Sequence, residues 1–190
     1  MCGIAGIVNL RGNPVEPAEI SRLTSLIAHR GPFGEGTWFN AKRNVAFGHR
    51  RLAIIDPGEG GYQPMVSGDG RHVIVYNGEI YNFLELRREL EAKGAVFRSQ
   101  SDTEVILAAW QAWGEDMLLR FNGMWALAIY DTATDELFLA RDRFGIKPML
   151  YALSSERFVF ASEQRALARS GLLETSLDID VARRLLLRSE

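Results

Sequence analysis

The chain has 190 residues, of which 47% are hydrophobic and 24% charged, with a net charge of −2. That is long enough for a sizeable core in one large domain, or in one domain plus an appendage, and offers no charge footprint for nucleic acid. A single cysteine excludes a disulfide framework or a Cys-rich zinc site. No basic leader or long apolar run predicts a signal peptide or membrane span, so a cytoplasmic location is the expectation.

The first stretch, Met1-Cys2-Gly3-Ile4-Ala5-Gly6, carries the strongest chemical cue. If Met1 is removed, Cys2 holds a thiol and a free α-amine on one residue. An amine with a reference pKa of about 7.7 to 8.0 can take and return a proton near pH 7, directly or through one water. The residues alone leave open that Cys2 is only a small apolar opening to a strand.

Residues 3 to 9 read as a buried strand, and Arg11-Gly12-Asn13-Pro14 as a turn. Pro17 at a first helical position, with Ile20, Leu23, Leu26 and Ile27 at helical spacing, predicts a helix to about Ala28. His29-Arg30-Gly31-Pro32 then breaks it. Trp38 to Asn40 and Asn44 to Gly48 suggest a hairpin. Leu52 to Ile55 is a short extended piece stopped by Asp56-Pro57-Gly58, and 57–70 is predicted to be loop. Gly58-Glu59-Gly60-Gly61 lacks the lysine and strand-to-helix context of a phosphate loop.

His72 to Tyr76 is a strand expected to end abruptly at Asn77-Gly78. A helix over 83–93 follows, with Asn82 as N-cap, Glu85 completing a capping box and Gly94 closing it. Ser101-Asp102-Thr103-Glu104 caps another helix, which stops at Gly114. Met124 to Tyr130 is apolar throughout and suits a strand covered on both faces. Strands near 136–140, 149–153 and 157–161 are joined by short loops that favour antiparallel pairing. This order argues an α+β fold rather than a wound βαβ sheet. Toward the end, Val181, Leu185, Leu186 and Leu187 lie on an amphipathic segment. It suits a docking helix or, as the preferred reading, the continuation into a longer polypeptide.

Four strings now line up: the amino terminus; His49-Arg50-Arg51-Leu52-Ala53-Ile54-Ile55-Asp56; Tyr76-Asn77-Gly78-Glu79-Ile80-Tyr81-Asn82; and Ser101-Asp102-Thr103-Glu104-Val105. Together they resemble the class II glutamine amidotransferase domain, specifically the glutaminase half of glutamine-hydrolysing asparagine synthetase. Arg141 to Pro148 and Phe160-Ala161-Ser162-Glu163 extend the resemblance to about Leu167, so residues 1–167 are expected to form the glutaminase domain and 168–190 a linker toward a synthetase domain.

The resemblance implies an N-terminal-nucleophile hydrolase fold, an αββα four-layer sandwich of two mainly antiparallel sheets. It implies Cys2 as nucleophile, and Asn77 and Gly78 as the oxyanion hole. Arg51 would grip the α-carboxylate of L-glutamine through its bidentate fork, and Asp102 its α-ammonium. Leu52, Ala53, Ile54 and Ile55 by their backbones, and Glu79 by its side chain, would line the rest. Taken singly, Arg51 could be a surface cation, Asp102 a helix-dipole residue, Asn77-Gly78 a hairpin turn and Glu79 a solvated side chain.

No metal or organic cofactor is expected for glutamine hydrolysis, and ATP and magnesium only in a synthetase domain. The expected partners are L-glutamine and that domain, with neither nucleic acid nor membrane, and a homodimer left open. A Cys–His dyad drawn from His29, His49 or His72 is disfavoured because the amine already supplies a base. The sequence departs from the family at Phe33, where His-Arg-Gly-Pro is usually followed by Asp. It has no pyrophosphate loop for ATP, and a retained Met1 would turn the Cys2 nitrogen into an amide with no basic lone pair.

Overall fold

The computed structural model describes residues 1–174, 176 and 178–187. Two antiparallel sheets lie face to face. One has β1 (Gly3–Asn9), β2 (Glu35–Phe39), β3 (Val45–Arg50), β8 (Leu150–Leu153) and β9 (Arg157–Ala161), in the order β2-β3-β1-β9-β8. The other has β4 (Met65–Val66), β5 (His72–Ile80), β6 (Gly123–Asp131) and β7 (Glu136–Arg141), in the order β4-β5-β6-β7.

The inner strands β1 and β6 are buried on both faces because each sheet is covered twice. Ile4, Val45, Phe47, Val73, Val75, Ala126, Ala128, Tyr130 and Phe160 fill the layer between the sheets. Phe47 sits at its centre, edge-on to Phe160 at 5.7 Å and to Tyr130 at 6.4 Å. On the outer face of the first sheet, α1 (Pro17–Ser25) and α5 (Gln164–Arg169) bury Ile20, Leu23, Ala166 and Leu167 against Ala5, Ile7 and Val159. On the outer face of the second, α2 (Phe83–Ala92) and α3 (Asp102–Trp113) bury Leu86, Leu90, Val105 and Ile106 against Ile74, Leu127 and Ile129. The architecture is therefore the αββα sandwich, of α+β class.

Local signals place most boundaries. Ser101 Oγ accepts the Thr103 N–H at 3.1 Å, an N-cap as expected. Gly94 and Gly114 adopt the positive φ of helix ends. α1 carries an acidic capping box between Glu16 and Glu19 that the sequence reading missed, and it stops at Ser25, followed by a 3-10 turn at Ala28–Arg30.

Other expectations are corrected. β5 does not end at Tyr76 but runs through Asn77-Gly78 to Ile80, paired with β6 all the way. Asn-Gly reads as a turn locally, yet here the glycine answers a packing demand. A Cβ on Gly78 would come within 2.4 Å of the Met124 carbonyl oxygen and 2.8 Å of Trp125 Cα. Asn82 stands at the N-cap of α2 as expected, but its side chain makes no cap hydrogen bond and no capping box with Glu85 forms among the described residues: its amide donates to the Arg120 carbonyl and accepts the Asn122 N–H, both at 3.0 Å, so it ties the start of α2 to the corner before β6.

Leu52 to Ile55 is irregular rather than extended pairing, and ends at Asp56 with φ +48°. The stretch 57–70 contains a 3-10 turn and β4. The short helices α4 (Met117–Arg120) and α5, each only one or two turns long, gave no periodic signal. At the far end α6 (Ile179–Leu187) is helical. The side chains of Leu185, Leu186 and Leu187, on which the amphipathic reading rested, lie outside the described residues.

Candidate active site

The site forms where the interior rows of the sandwich turn from apolar to polar. Alternate residues of a strand share a face, so the row Val45, Phe47 on β3 continues into His49 and Arg51, and Val73, Val75 on β5 continues into Asn77 and Glu79. Ile4 on β1 is preceded, in the same parity, by Cys2. At this open end the two sheets enclose a cavity of about 290 Å³. It is lined by Cys2, Arg51, Leu52, Ile54, Ile55, Asn77, Gly78, Glu79 and Asp102, which is every site residue expected from the sequence except Ala53.

The Cys2 sulfur accepts the Leu52 N–H at 3.3 Å and lies 3.5 Å from the Leu52 carbonyl. Burial pushes the thiol pKa up, against the opposing pull of the Leu52 N–H, the positive chain terminus and Arg51. The peptide oxygen of Cys2 accepts a hydrogen bond from Arg30 Nε at 2.9 Å.

Two hydrogen-bond donors on the same cavity have no protein partners among the described residues. Asn77 is 1% exposed, and its amide nitrogen has none. The second is the Gly78 N–H. Trp125, opposite Gly78, directs both its peptide groups toward Asp142 on the β7 side. In an antiparallel ladder Gly78 must then point its own N–H away from β6. Tyr76 and Ile80 share that direction, and their N–H groups end on Gln63 Oε1 at 2.6 Å and Asp102 Oδ2 at 3.1 Å. Gly78, between them, faces the cavity because β4 pairs only as far as Ile74.

Two charges of opposite sign are set into the walls. Arg51, 4% exposed, lays its guanidinium over the Tyr62 ring at 4.7 Å and donates to the Asp56 carbonyl. A Cβ on Gly61 would fall 2.4 Å from its Nη2 and 2.8 Å from the Asp56 carbonyl oxygen, so a side chain there would displace the guanidinium or the loop. Asp102, also 4% exposed, begins α3, and its Oδ2 accepts from the Tyr76 hydroxyl at 2.9 Å as well as from Ile80. Burial nevertheless dominates and raises its pKa. A buried carboxylate with room for one more donor suits an ammonium.

Sequence reasoning missed His49, Gln63, Tyr76, Met124 and Lys147 on the lining. The alternation through Val45, Phe47 and His49 could have found the first. His49 is 1% exposed, and among the described residues neither ring nitrogen has a hydrogen-bond partner in bonding geometry. Burial, with Arg51 nearby, pushes its pKa down to about 3 despite the opposing influence of the Tyr76 backbone. An imidazole so weakly basic is a poor acceptor for a thiol proton at neutral pH. His29 meets Glu163, and His72 lies beside Asp131. Phe33 is 63% exposed, and its backbone N–H, not its side chain, joins the loop to the Arg51 carbonyl at 3.0 Å. Among the described residues no helix is long and apolar enough to cross a membrane.

Residues 1–189 match the family model described as a glutamine amidotransferase domain. Glutamine-hydrolyzing asparagine synthetase 3 of Bacillus subtilis is 42% identical over 171 residues, covering 88% of this chain and 27% of the relative. Glutamine-hydrolyzing asparagine synthetase 1 of the same organism is 40% identical over 183 residues, covering 95% of this chain and 28% of the relative. The chain thus spans just over a quarter of the length of these curated relatives. Among solved structures, the glutamine phosphoribosylpyrophosphate amidotransferase of B. subtilis, in complex with ADP and GMP, superposes with a TM-score of 0.75. It is 24% identical, over 90% of this chain and 44% of that one, a likeness that speaks to the fold.

Proposed function

The chain belongs to the glutamine amidotransferase domain family, and on that premise we propose that it hydrolyses L-glutamine to glutamate and ammonia with Cys2 as nucleophile. Once Met1 is removed, the Cys2 amine takes the thiol proton, directly or through one water, and the sulfur attacks the carboxamide carbon. The tetrahedral oxyanion settles between Asn77 Nδ2 and the Gly78 N–H. Its collapse breaks the C–N bond, the protonated amine gives its proton to the departing nitrogen, and ammonia leaves a γ-glutamyl thioester. Water, deprotonated by the same amine, then attacks the thioester and releases glutamate and the thiol.

Arg51 takes the α-carboxylate, Asp102 the α-ammonium, and Glu79 with the backbone of 52–55 the remainder of the substrate. The supporting observation is the pair of cavity-facing donors without protein partners among the described residues, Asn77 Nδ2 and the Gly78 N–H, on the same cavity as the only thiol of the chain. This step draws on no metal or organic cofactor.

The proposal extends to a longer protein in which residues 168–190 lead into a synthetase domain. That domain would use ATP, magnesium and the released ammonia to make asparagine from aspartate, in the cytoplasm. The asparagine synthetase relatives, longer than this chain by several-fold, support that order. Ammonia release from glutamine is to be measured on Met-free protein beside Cys2→Ala, with intact mass reporting the terminus. Equal rates in the two proteins would refute the assignment.

A further inference from the structure

The Phe160-Ala161-Ser162-Glu163 string takes no part in the reaction just described, yet it stands directly behind the nucleophile. Pairing of β1 with β9 begins only at Ala5, opposite Ala161. Nearer the terminus a side chain takes over one of the two bonds to Ile4. Ser162 Oγ accepts the Ile4 N–H at 2.9 Å, while the Ser162 N–H returns to the Ile4 carbonyl at 2.9 Å. Two residues further out, among the described contacts, the Cys2 backbone is tied by a single hydrogen bond, from Arg30 Nε to its carbonyl oxygen at 2.9 Å.

Arg30 is long and flexible, and its side chain is 8% exposed, so what fixes its guanidinium fixes the nucleophile. That group is Glu163, whose Oε1 accepts from Arg30 Nη1 at 2.9 Å and from His29 Nε2 at 2.9 Å. We propose that Glu163 is a positioning residue for Cys2, acting through Arg30. The inference rests on the glutaminase reading and deepens it: the carboxylate at the end of β9 sets where the sulfur stands relative to Asn77 and Gly78.

The electrostatics agree with the geometry. Burial raises the Glu163 pKa, but the Arg30 and His29 hydrogen bonds outweigh it and hold the carboxyl below its ordinary range. It is therefore charged at neutral pH. Removing it leaves a nearly buried guanidinium with a lost partner and freedom to swing. A displacement of about 1 Å at a reacting atom can cost on the order of a hundredfold in rate.

The test uses Met-free protein carrying Glu163→Ala or Glu163→Gln. The second keeps an acceptor for Arg30 but not the charge, and it carries the comparison alone if the first does not fold. The expected result for Glu163→Ala is a kcat for glutamine lower by roughly ten- to a hundredfold with KM within about twofold, because the substrate contacts are untouched. Glu163→Gln is expected to fall between it and the parent.

A role in general stability would not alter the pH profile of iodoacetamide alkylation at Cys2, followed by mass. Positioning predicts that its inflection moves to lower pH in both variants as the thiol loses its burial. A kcat within twofold of the parent, a loss confined to KM, or an unchanged alkylation profile would overturn the proposal. If the parent itself releases no ammonia, the glutaminase reading fails, and the alkylation profile, which needs no glutamine, still decides the role of Glu163.

Discussion

His49 offers a quantitative test of how the interior row is built. Its imidazole is buried with a pKa near 3, against 6.5 for the free side chain. The folded protein therefore excludes a proton that the unfolded chain accepts. Because the folded value is depressed, unfolding gains stability relative to folding as pH falls below about 6.5, and continues to do so until about 3.

Between pH 7 and pH 5 the unfolded histidine goes from mostly neutral to almost fully protonated, while the folded one stays neutral. The linkage integral is about 2 kcal/mol lost, which for a chain of this length lowers the melting temperature by roughly 4 to 8 °C. Carboxylates titrate in the same range, so the informative quantity is the difference from His49→Leu. That variant removes the proton site without stranding any hydrogen-bond partner, since among the described residues neither ring nitrogen has one in bonding geometry. Melting temperatures of both proteins, measured without glutamine at half-unit steps from pH 7 to 5, should diverge, with the variant nearly flat by comparison. Parallel curves would refute the burial argument.

The same geometry sets three further expectations. Asp102→Asn should raise KM for glutamine by roughly ten- to a hundredfold, the worth of a hydrogen bond to a charged group. Since burial raises the Asp102 pKa, its folding contribution is present at low pH and lost as pH rises through the folded value. The unliganded Asn variant should therefore melt as high as the parent or higher at pH 7, with the gap closing toward acid; a variant markedly less stable at pH 7 contradicts this. Asn77→Ala should lower kcat by on the order of a hundredfold or more with KM little changed, as steady-state ammonia release will report, and an effect on KM alone would remove Asn77 from the oxyanion site. Gly78→Ala must push Met124 and Trp125 away, so both melting temperature and kcat should fall, whereas a fully active, equally stable Ala variant would mean β5 and β6 are not this close.

Cys2 with its potential free amine, Ser101 as a cap, the apolar run of β6 and the α+β order were all written locally, in neighbours along the chain. So were the strings that carry the family resemblance, and with them Arg51, Asn77, Gly78 and Asp102 as site residues. Contacts between distant segments decided the rest. Asn77-Gly78 has the local chemistry of a turn, yet it continues a strand because Met124 and Trp125 press against the glycine. Asn82 takes the N-cap position its chemistry suggests, yet its side chain bonds to residues near 120 instead of capping.

His49 becomes a neutral wall only because the second sheet closes over it, and Glu163 reaches Cys2 only through Arg30, more than 130 residues earlier in the chain. Local hydrogen bonding and side-chain periodicity can be read within a few residues, so the sequence by itself determined the elements and the reactive groups. Burial, partnerless donors and close backbone approach exist only once two sheets stack, and the tertiary structure alone could decide them.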